Sequence, residues 1–259
     1  MKKKLNIALV QADLIWENPK ANRTHFTKKI KGLPDQTDIV ILPEMLSTGF
    51  TMNAKKVAET MRGETVTWMK SMTLEHDVAI VGSLVIKENK HFYNRFLLVE
   101  PSGYISIYDK RHTFTLVGED QIYSAGTEKV IIHYEGWKIR PLICYDLRFP
   151  VWSRNTEDYD VLIYVANWPK TRIKAWDILL QARAIENMCY CIGVNRVGID
   201  GVNSSYAGHS AAYNVLGESL TSFNPYKEQI EMVTLEKRHI SAYRNKLKFL
   251  DDRDKFKIS

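Results

Sequence analysis

One order of segments occurs twice in this chain, and it limits the fold more than any other feature. Asp38-Ile-Val-Ile-Leu-Pro-Glu44 is an apolar run ended by a proline and a carboxylate, a helical stretch follows, and Asp77-Val-Ala-Ile-Val-Gly-Ser-Leu-Val-Ile86 is a second apolar run containing a glycine. Asp160-Val-Leu-Ile-Tyr-Val-Ala-Asn-Trp-Pro169, the helical stretch Arg172–Met188 and then Cys189–Asn195 repeat that order. Short continuous apolar runs bounded by turn-forming residues read as buried strands. No low-complexity linker separates the halves. The simplest architecture is α/β: one domain of two similar halves, with two sheets packed together and helices outside.

The other segments fit around this frame. Leu5–Ala12 reads as a buried strand, and Pro19–Lys31 as a helix with Phe26 and Ile30 four apart on one face. Met45–Asn53 reads as a loop and Lys55–His76 as mostly helical, broken at Gly63. Phe92–Glu100 and Tyr104–Asp109 flank Pro101-Ser-Gly103, a hairpin signal. A second hairpin joins Val130–Tyr134 to Trp137–Cys144 through Glu135-Gly136. Ser210–Val215 is expected to pair with Glu218–Phe223 around Leu216-Gly217, and Gln229–Leu235 is the last strand, before a short helix and a polar tail.

Composition removes several classes of function. The formal charge is +6, but lysine and arginine are dispersed and only Lys2-Lys-Lys4 forms a run. With no zinc-finger spacing and no aromatic RNA-binding strand motif, nucleic acid is not an expected partner. The apolar run near the start is interrupted by Asn6 and stopped by Gln11 and Asp13, too short for a signal peptide. No run approaches a membrane span, so no membrane partner is expected. The cysteine count is 3, an odd number that points to reduced thiols and a cytoplasmic setting.

Chemistry gathers at strand ends. Ile139-Arg-Pro-Leu-Ile-Cys-Tyr-Asp-Leu-Arg-Phe-Pro150 delivers Cys144 at the end of an apolar run, with Pro150 marking the entry to a helix. A nearby helix N-terminus would favour a thiolate. Glu44 and Lys110 stand at two further strand ends, and such ends converge on one edge of an α/β fold. An isolated Glu or Lys in such a place is usually a solvated charge, and a free Cys usually a core residue. Taken together, Glu44 could accept the thiol proton, Lys110 and the Tyr145 N–H could hold an oxyanion, and Cys144 could attack a carbonyl carbon.

Leu42-Pro-Glu44, Tyr108-Asp-Lys110 and Cys144-Tyr-Asp-Leu-Arg148 resemble the motifs of the nitrilase superfamily of carbon–nitrogen hydrolases, and the likeness runs from Ile7-Ala-Leu-Val-Gln11 to the strand near Leu235. The resemblance implies a four-layer α-β-β-α sandwich and a Glu-Lys-Cys triad at Glu44, Lys110 and Cys144. It also matches the family's second glutamate to Glu119. Ala166-Asn-Trp-Pro169, Arg172, Trp176 and Ala182-Arg-Ala-Ile-Glu-Asn187 look like the omega-amidase branch, which implies hydrolysis of the terminal amide of a short 2-oxo acid such as 2-oxoglutaramate or 2-oxosuccinamate. The expected substrate-binding residues are Tyr145, Arg172, Arg148 and Trp168, with Arg172 first for the substrate carboxylate. No metal or organic cofactor is required.

A nitrilase or N-carbamoyl amine hydrolase would use the same triad, because the pocket rather than the triad selects the substrate. A non-catalytic interaction module on this fold would be expected to carry a damaged triad. Cys189 and Cys191, two apart on one strand, are expected to be inert core thiols, and His112 and His209 to satisfy local hydrogen bonds. Residues 1–240 form the expected hydrolase domain. Residues 241–259 form a C-terminal arm of alternating aromatic, apolar and charged residues, suited to lie on a second subunit. The family's face-to-face pairing implies at least a homodimer.

Overall fold

The computed structural model describes residues 2–258. The first half of the chain runs β1 (Lys4–Gln11), α1 (Pro19–Lys31), β2 (Ile39–Ile41), α2 (Ala54–Val57), α3 (Glu64–His76), β3 (Ala79–Glu88), β4 (His91–Val99) and β5 (Ile105–Asp109). The second runs α4 (Glu119–Ile122), β6 (Ile132–Tyr134), β7 (Trp137–Ile143), α5 (Pro150–Ser153), β8 (Val161–Ala166), α6 (Ile173–Asn187), β9 (Tyr190–Asn195), β10 (Val197–Ile199), β11 (Ser205–Ala207), β12 (Ala211–Tyr213), β13 (Gln229–Glu236) and α7 (Lys237–Leu247).

Alternation along β1 sets the layers. Leu5, Ile7 and Leu9 join a core shared with residues of β7 and β8, whereas Ala8 and Val10 face Phe26 and Ile30 of α1 and Val66, Met69 and Met72 of α3. A strand apolar on both faces needs a layer on each side, since successive side chains point opposite ways. The first sheet is ordered β13-β1-β2-β3-β4-β5 and the second β12-β9-β8-β7-β6. At the centre of each sheet three strands are parallel, β1–β2–β3 and β7–β8–β9, with antiparallel strands on the flanks. The second sheet is covered by α6, which buries Trp176, Leu180 and Ala184. This is the α-β-β-α sandwich of two similar halves that the repeated segment order predicts.

The two halves also match in detail. α3 ends at Asp77 and α6 at Met188, and both residues adopt the left-handed conformation that closes a helix, with φ of 48° and 46°. α6 lies close to β9 because residue 193 is glycine: a Cβ there would sit 2.4 Å from Leu180 Cδ1 and 2.6 Å from Trp176.

Three expectations need adjustment. The pairing of Ser210–Val215 with Glu218–Phe223 shrinks to β12, which bonds to β9, plus one bridge between Tyr213 and Ser219. The reason is Asn214, whose Oδ1 accepts the N–H groups of Leu216 and Glu218 and curls the chain into a compact turn. The β10–β11 hairpin was not expected, although Asp200-Gly201 at its tip is a turn-forming dipeptide. The boundary between residues 240 and 241 falls inside α7, where Ile240 is buried and Arg244 donates to the carbonyls of Met188 and Tyr159. No helix among the described residues is long and apolar enough to cross a membrane.

Candidate active site

The parallel strands of both sheets end at one edge, and three of those ends plus β5 furnish the site. Glu44 follows β2, Asn167 follows β8, Cys144 follows β7 and Lys110 follows β5. Across the sandwich, the β2 and β8 ends are counterparts. They meet directly: the Asn167 N–H donates to Glu44 Oε2 at 2.7 Å and Asn167 Nδ2 to the Glu44 carbonyl at 2.7 Å.

Glu44 is fully buried, and a buried carboxylate must be hydrogen-bonded. Its Oε1 accepts from Asn94 Nδ2 at 2.7 Å and from Lys110 Nζ at 3.1 Å. Asn94 is oriented in turn by Ser83, whose Oγ donates to Asn94 Oδ1 at 2.8 Å and accepts the Met45 N–H at 2.8 Å. A continuous relay through β3 and β4 therefore fixes the carboxylate.

Lys110 is held from several sides. Its Nζ donates to both oxygens of Glu119 at 2.9 Å, and its backbone N–H donates to the Asn94 carbonyl at 3.0 Å. Arg95 grips Asp109 through two parallel bonds of 2.7 and 2.9 Å, which locks β5 just before Lys110. On its far side Gly126 donates its N–H to the Lys110 carbonyl at 2.9 Å, and a Cβ there would meet the Asp109 carbonyl oxygen at 2.2 Å. Only glycine fits this approach.

Two carboxylates thus share one cation. Burial disfavours the charge on Lys110, but Glu119 and Glu44 outweigh it and raise its pKa, so the ammonium persists. Burial raises the Glu119 pKa, Lys110 pulls it back, and the charge of Glu44 pushes it further up. The net shift for Glu119 is upward, because two buried carboxylates beside a single ammonium compete for its charge.

Cys144 adopts φ 43°, in the left-handed region that a side chain rarely occupies. It opens a 3-10 turn, Cys144–Arg148, pinned by Asp146. Asp146 is fully buried and accepts from the Ile143 N–H at 3.0 Å, from Tyr108 Oη at 2.8 Å and from the His112 N–H at 3.0 Å, with His112 Nδ1 at 2.7 Å. From outside, Arg183 of α6 donates to the Leu147 carbonyl at 2.7 Å. A strained conformation persists only where its surroundings over-determine it, and here they do. The strain displays the sulfur at the cavity.

The expectation that a helix N-terminus favours a thiolate is not met. The Cys144 turn is 3-10 and the following α5 has 4 residues. Burial, followed by the negative charge of Glu44, pushes the thiol pKa well up, and Lys110 only partly offsets this. A thiol whose pKa is raised in this way would depend on a base for attack.

These groups open into a cavity of about 330 Å³. Its walls include Trp16, Phe50, Met52, Phe114, Trp168 and Tyr206, and its polar groups include Tyr145, Arg148 and Arg172. The Arg148 guanidinium lies over the Trp168 ring at 4.9 Å and that of Arg172 over Phe114 at 5.0 Å. All eight residues singled out from the sequence are in or beside this cavity: Glu44, Lys110, Cys144, Glu119, Tyr145, Arg172, Arg148 and Trp168. Asn94 and Phe114 carry no signal in the sequence, and Asn167 stands in the Ala166-Asn-Trp-Pro169 motif although its contact with Glu44 is visible only in the fold. Cys191 lies in β9 and Cys189 just before it rather than on the same strand, and both are buried in the core and outside the cavity lining. His112 belongs to the Asp146 network, and His209 Nδ1 lies 3.1 Å from both oxygens of Asp177. Among the described residues no cluster of three or more His, Cys, Asp or Glu side chains could hold a metal ion.

A half-buried thiol, a buried carboxylate and a fixed ammonium at one cavity are groups that can together serve acyl transfer. Residues 6–245 match the carbon–nitrogen hydrolase family model, and the chain belongs to that family of hydrolases. It is similar to the omega-amidase YafV of Yersinia enterocolitica, 43% identical over 254 residues, covering 97% of this chain and 98% of that one. It is also similar to the 2-oxoglutaramate amidase of Bacillus subtilis, 32% identical over 254 residues, covering 96% of this chain and 97% of that one. Among solved structures it resembles XC1258 of Xanthomonas campestris, a superfamily protein with an arsenic adduct in its active site. That match has a TM-score of 0.97 at 38% identity and covers 100% of both chains.

Proposed function

We propose that this enzyme is an omega-amidase that hydrolyses the terminal carboxamide of a short 2-oxo acid, of the 2-oxoglutaramate or 2-oxosuccinamate type, through a thioester on Cys144. The observation that carries this reading is the Glu44–Lys110–Glu119 array beside Cys144, opening on a cavity that also holds Arg172 and Arg148.

The geometry supports the following steps. Glu44 takes the thiol proton as sulfur bonds to the amide carbon, and the carbonyl π electrons move onto oxygen. Lys110 and the Tyr145 N–H stabilise that oxyanion. As the tetrahedral adduct collapses, the C–N bond breaks and Glu44 passes its proton to the departing ammonia. Water then enters, Glu44 accepts its proton, and hydroxide adds to the thioester. The C–S bond breaks, the carboxylic acid leaves, and sulfur recovers its proton from Glu44. Glu119 keeps Lys110 in place throughout and shares its charge with Glu44. No metal or organic cofactor takes part in these steps.

The substrate carboxylate pairs with Arg172, whose planar fork suits two parallel hydrogen bonds, and Arg148 stands as the alternate partner. Trp168 walls the cavity next to both. The chain works as a homodimer, with the segment after α7 and the exposed Ile178 and Ile185 of α6 contributing to contacts with the second subunit. A reducing cytoplasm suits a nucleophile that must remain a free thiol.

Ammonia release across a panel of amides, nitriles and N-carbamoyl compounds tests the reading. We expect 2-oxoglutaramate and 2-oxosuccinamate to have the highest kcat/KM. Preference for a nitrile or an N-carbamoyl amine would replace the omega-amidase assignment while leaving the triad in place. No turnover of any member would favour a non-catalytic role.

A further inference from the structure

The residues that read the substrate and those that perform the chemistry meet at one residue, through its ring and its backbone, that neither set includes. Phe114 lies under the Arg172 guanidinium, 5.0 Å from its ring centroid. Its backbone N–H donates to Glu119 Oε2 at 2.5 Å, and Glu119 in turn holds Lys110 Nζ at 2.9 Å. Its ring also packs on Tyr145, with centroids 4.8 Å apart, and Tyr145 directly follows the Cys144 nucleophile. The Phe114 carbonyl accepts the N–H of Glu119 at 3.2 Å, so Phe114 and Glu119 are bonded in both directions.

We propose that Phe114 is a positioning residue that couples carboxylate recognition at Arg172 to the placement of Glu119, Lys110 and Tyr145. This rests on the reading that Arg172 receives the substrate carboxylate. The segment that carries Phe114 is otherwise lightly held. Leu116 is 75% exposed and Val117 47% exposed, and a short 3-10 turn ends at Gly118 in the left-handed conformation. A bound substrate displaces water from the Arg172–Phe114 stack, and a cation over a ring is held more strongly once water is excluded. The ring then becomes fixed from both sides, and with it the N–H that anchors Glu119. In this arrangement a carboxylate-bearing amide improves the placement of its own catalytic groups. A neutral amide of similar length does not.

The test compares 2-oxoglutaramate with butyramide in Phe114→Leu, Phe114→Tyr, Arg172→Ala and the Phe114→Leu/Arg172→Ala double variant. Phe114→Leu keeps apolar bulk and removes the aromatic face. We expect it to lower kcat on 2-oxoglutaramate about tenfold and kcat on butyramide about twofold or less, the size of one desolvated cation–ring contact. Phe114→Tyr retains the ring and should restore kcat to within about twofold of wild type. In the Arg172→Ala background, Phe114→Leu should cost little further kcat on 2-oxoglutaramate, since the coupled partner is already gone. Equal loss on both amides would reduce Phe114 to a packing residue and overturn the proposal. Losses that multiply in the double variant would overturn it as well. If Arg172→Ala leaves KM for 2-oxoglutaramate unchanged, the carboxylate reading itself fails, and this is visible without any Phe114 variant.

Discussion

Cys144 concentrates the residue-scale chemistry, and its proton is the quantity to follow. Burial and Glu44 raise its pKa, so the fraction of thiolate stays low up to a more alkaline pH than for an ordinary thiol, which ionises near pH ~8.5. Thiolate absorbance at 240 nm, taken as wild type minus Cys144→Ala, should therefore be absent through about pH 8. A thiolate signal at neutral pH would contradict the general-base role of Glu44. Cys144→Ala should abolish turnover with an unchanged circular dichroism spectrum, because it removes one small group at a cavity wall. Cys191→Ala should retain turnover and lose about 1 kcal/mol of stability from a filled core. Arg172→Ala should raise KM for 2-oxosuccinamate by the equivalent of about 2–5 kcal/mol, the cost of breaking a charge-assisted pair, and raise KM for butyramide far less.

At the scale of elements, the repeated order of buried strand, helix and buried strand was enough to give the sandwich, because each strand apolar on both faces demands two neighbours. Glu44, Lys110 and Cys144 were legible for a related reason: a reactive side chain immediately after an apolar run stands out against its surroundings. Asn94 and Asn167 have no such contrast, since an amide near or within a strand looks the same whether it faces water or a buried carboxylate. Phe114 was hidden as one aromatic in a loop, and its role depends on Arg172, far away in sequence. Within the Ala182–Asn187 segment the structure separates packing from tethering. Ala184 packs in the core, while Arg183 spans from α6 to the Leu147 carbonyl and ties the Cys144 turn to the outer helix layer. Arg183→Ala leaves that buried carbonyl without its charged donor. It should cost about 1.5–3 kcal/mol in chemical denaturation and lower kcat together with stability. Unaltered kcat in a destabilised variant would show that the Cys144 turn holds its shape without α6.

At the scale of the whole molecule, two sheets bring strand ends from both halves to one edge, so the carboxylate, the ammonium and the thiol come from separate stretches of chain and need no loop to assemble them. The outer face of α6 leaves Ile178 and Ile185 about half exposed, at 55% and 49%, which suits a contact with a second copy. Sedimentation at micromolar concentration should show at least a dimer, and a species of monomer size alone would contradict that assembly. The proposed path from 2-oxoglutaramate to its acid and ammonia runs through a thioester on Cys144, which rapid acid quench followed by intact and peptide mass spectrometry can trap. During turnover an acyl adduct should appear on the peptide containing Cys144, absent from Cys144→Ala and formed no more slowly than ammonia is released. Sustained wild-type turnover with the adduct absent under conditions that preserve a thioester standard, or with the adduct on another residue, would contradict it.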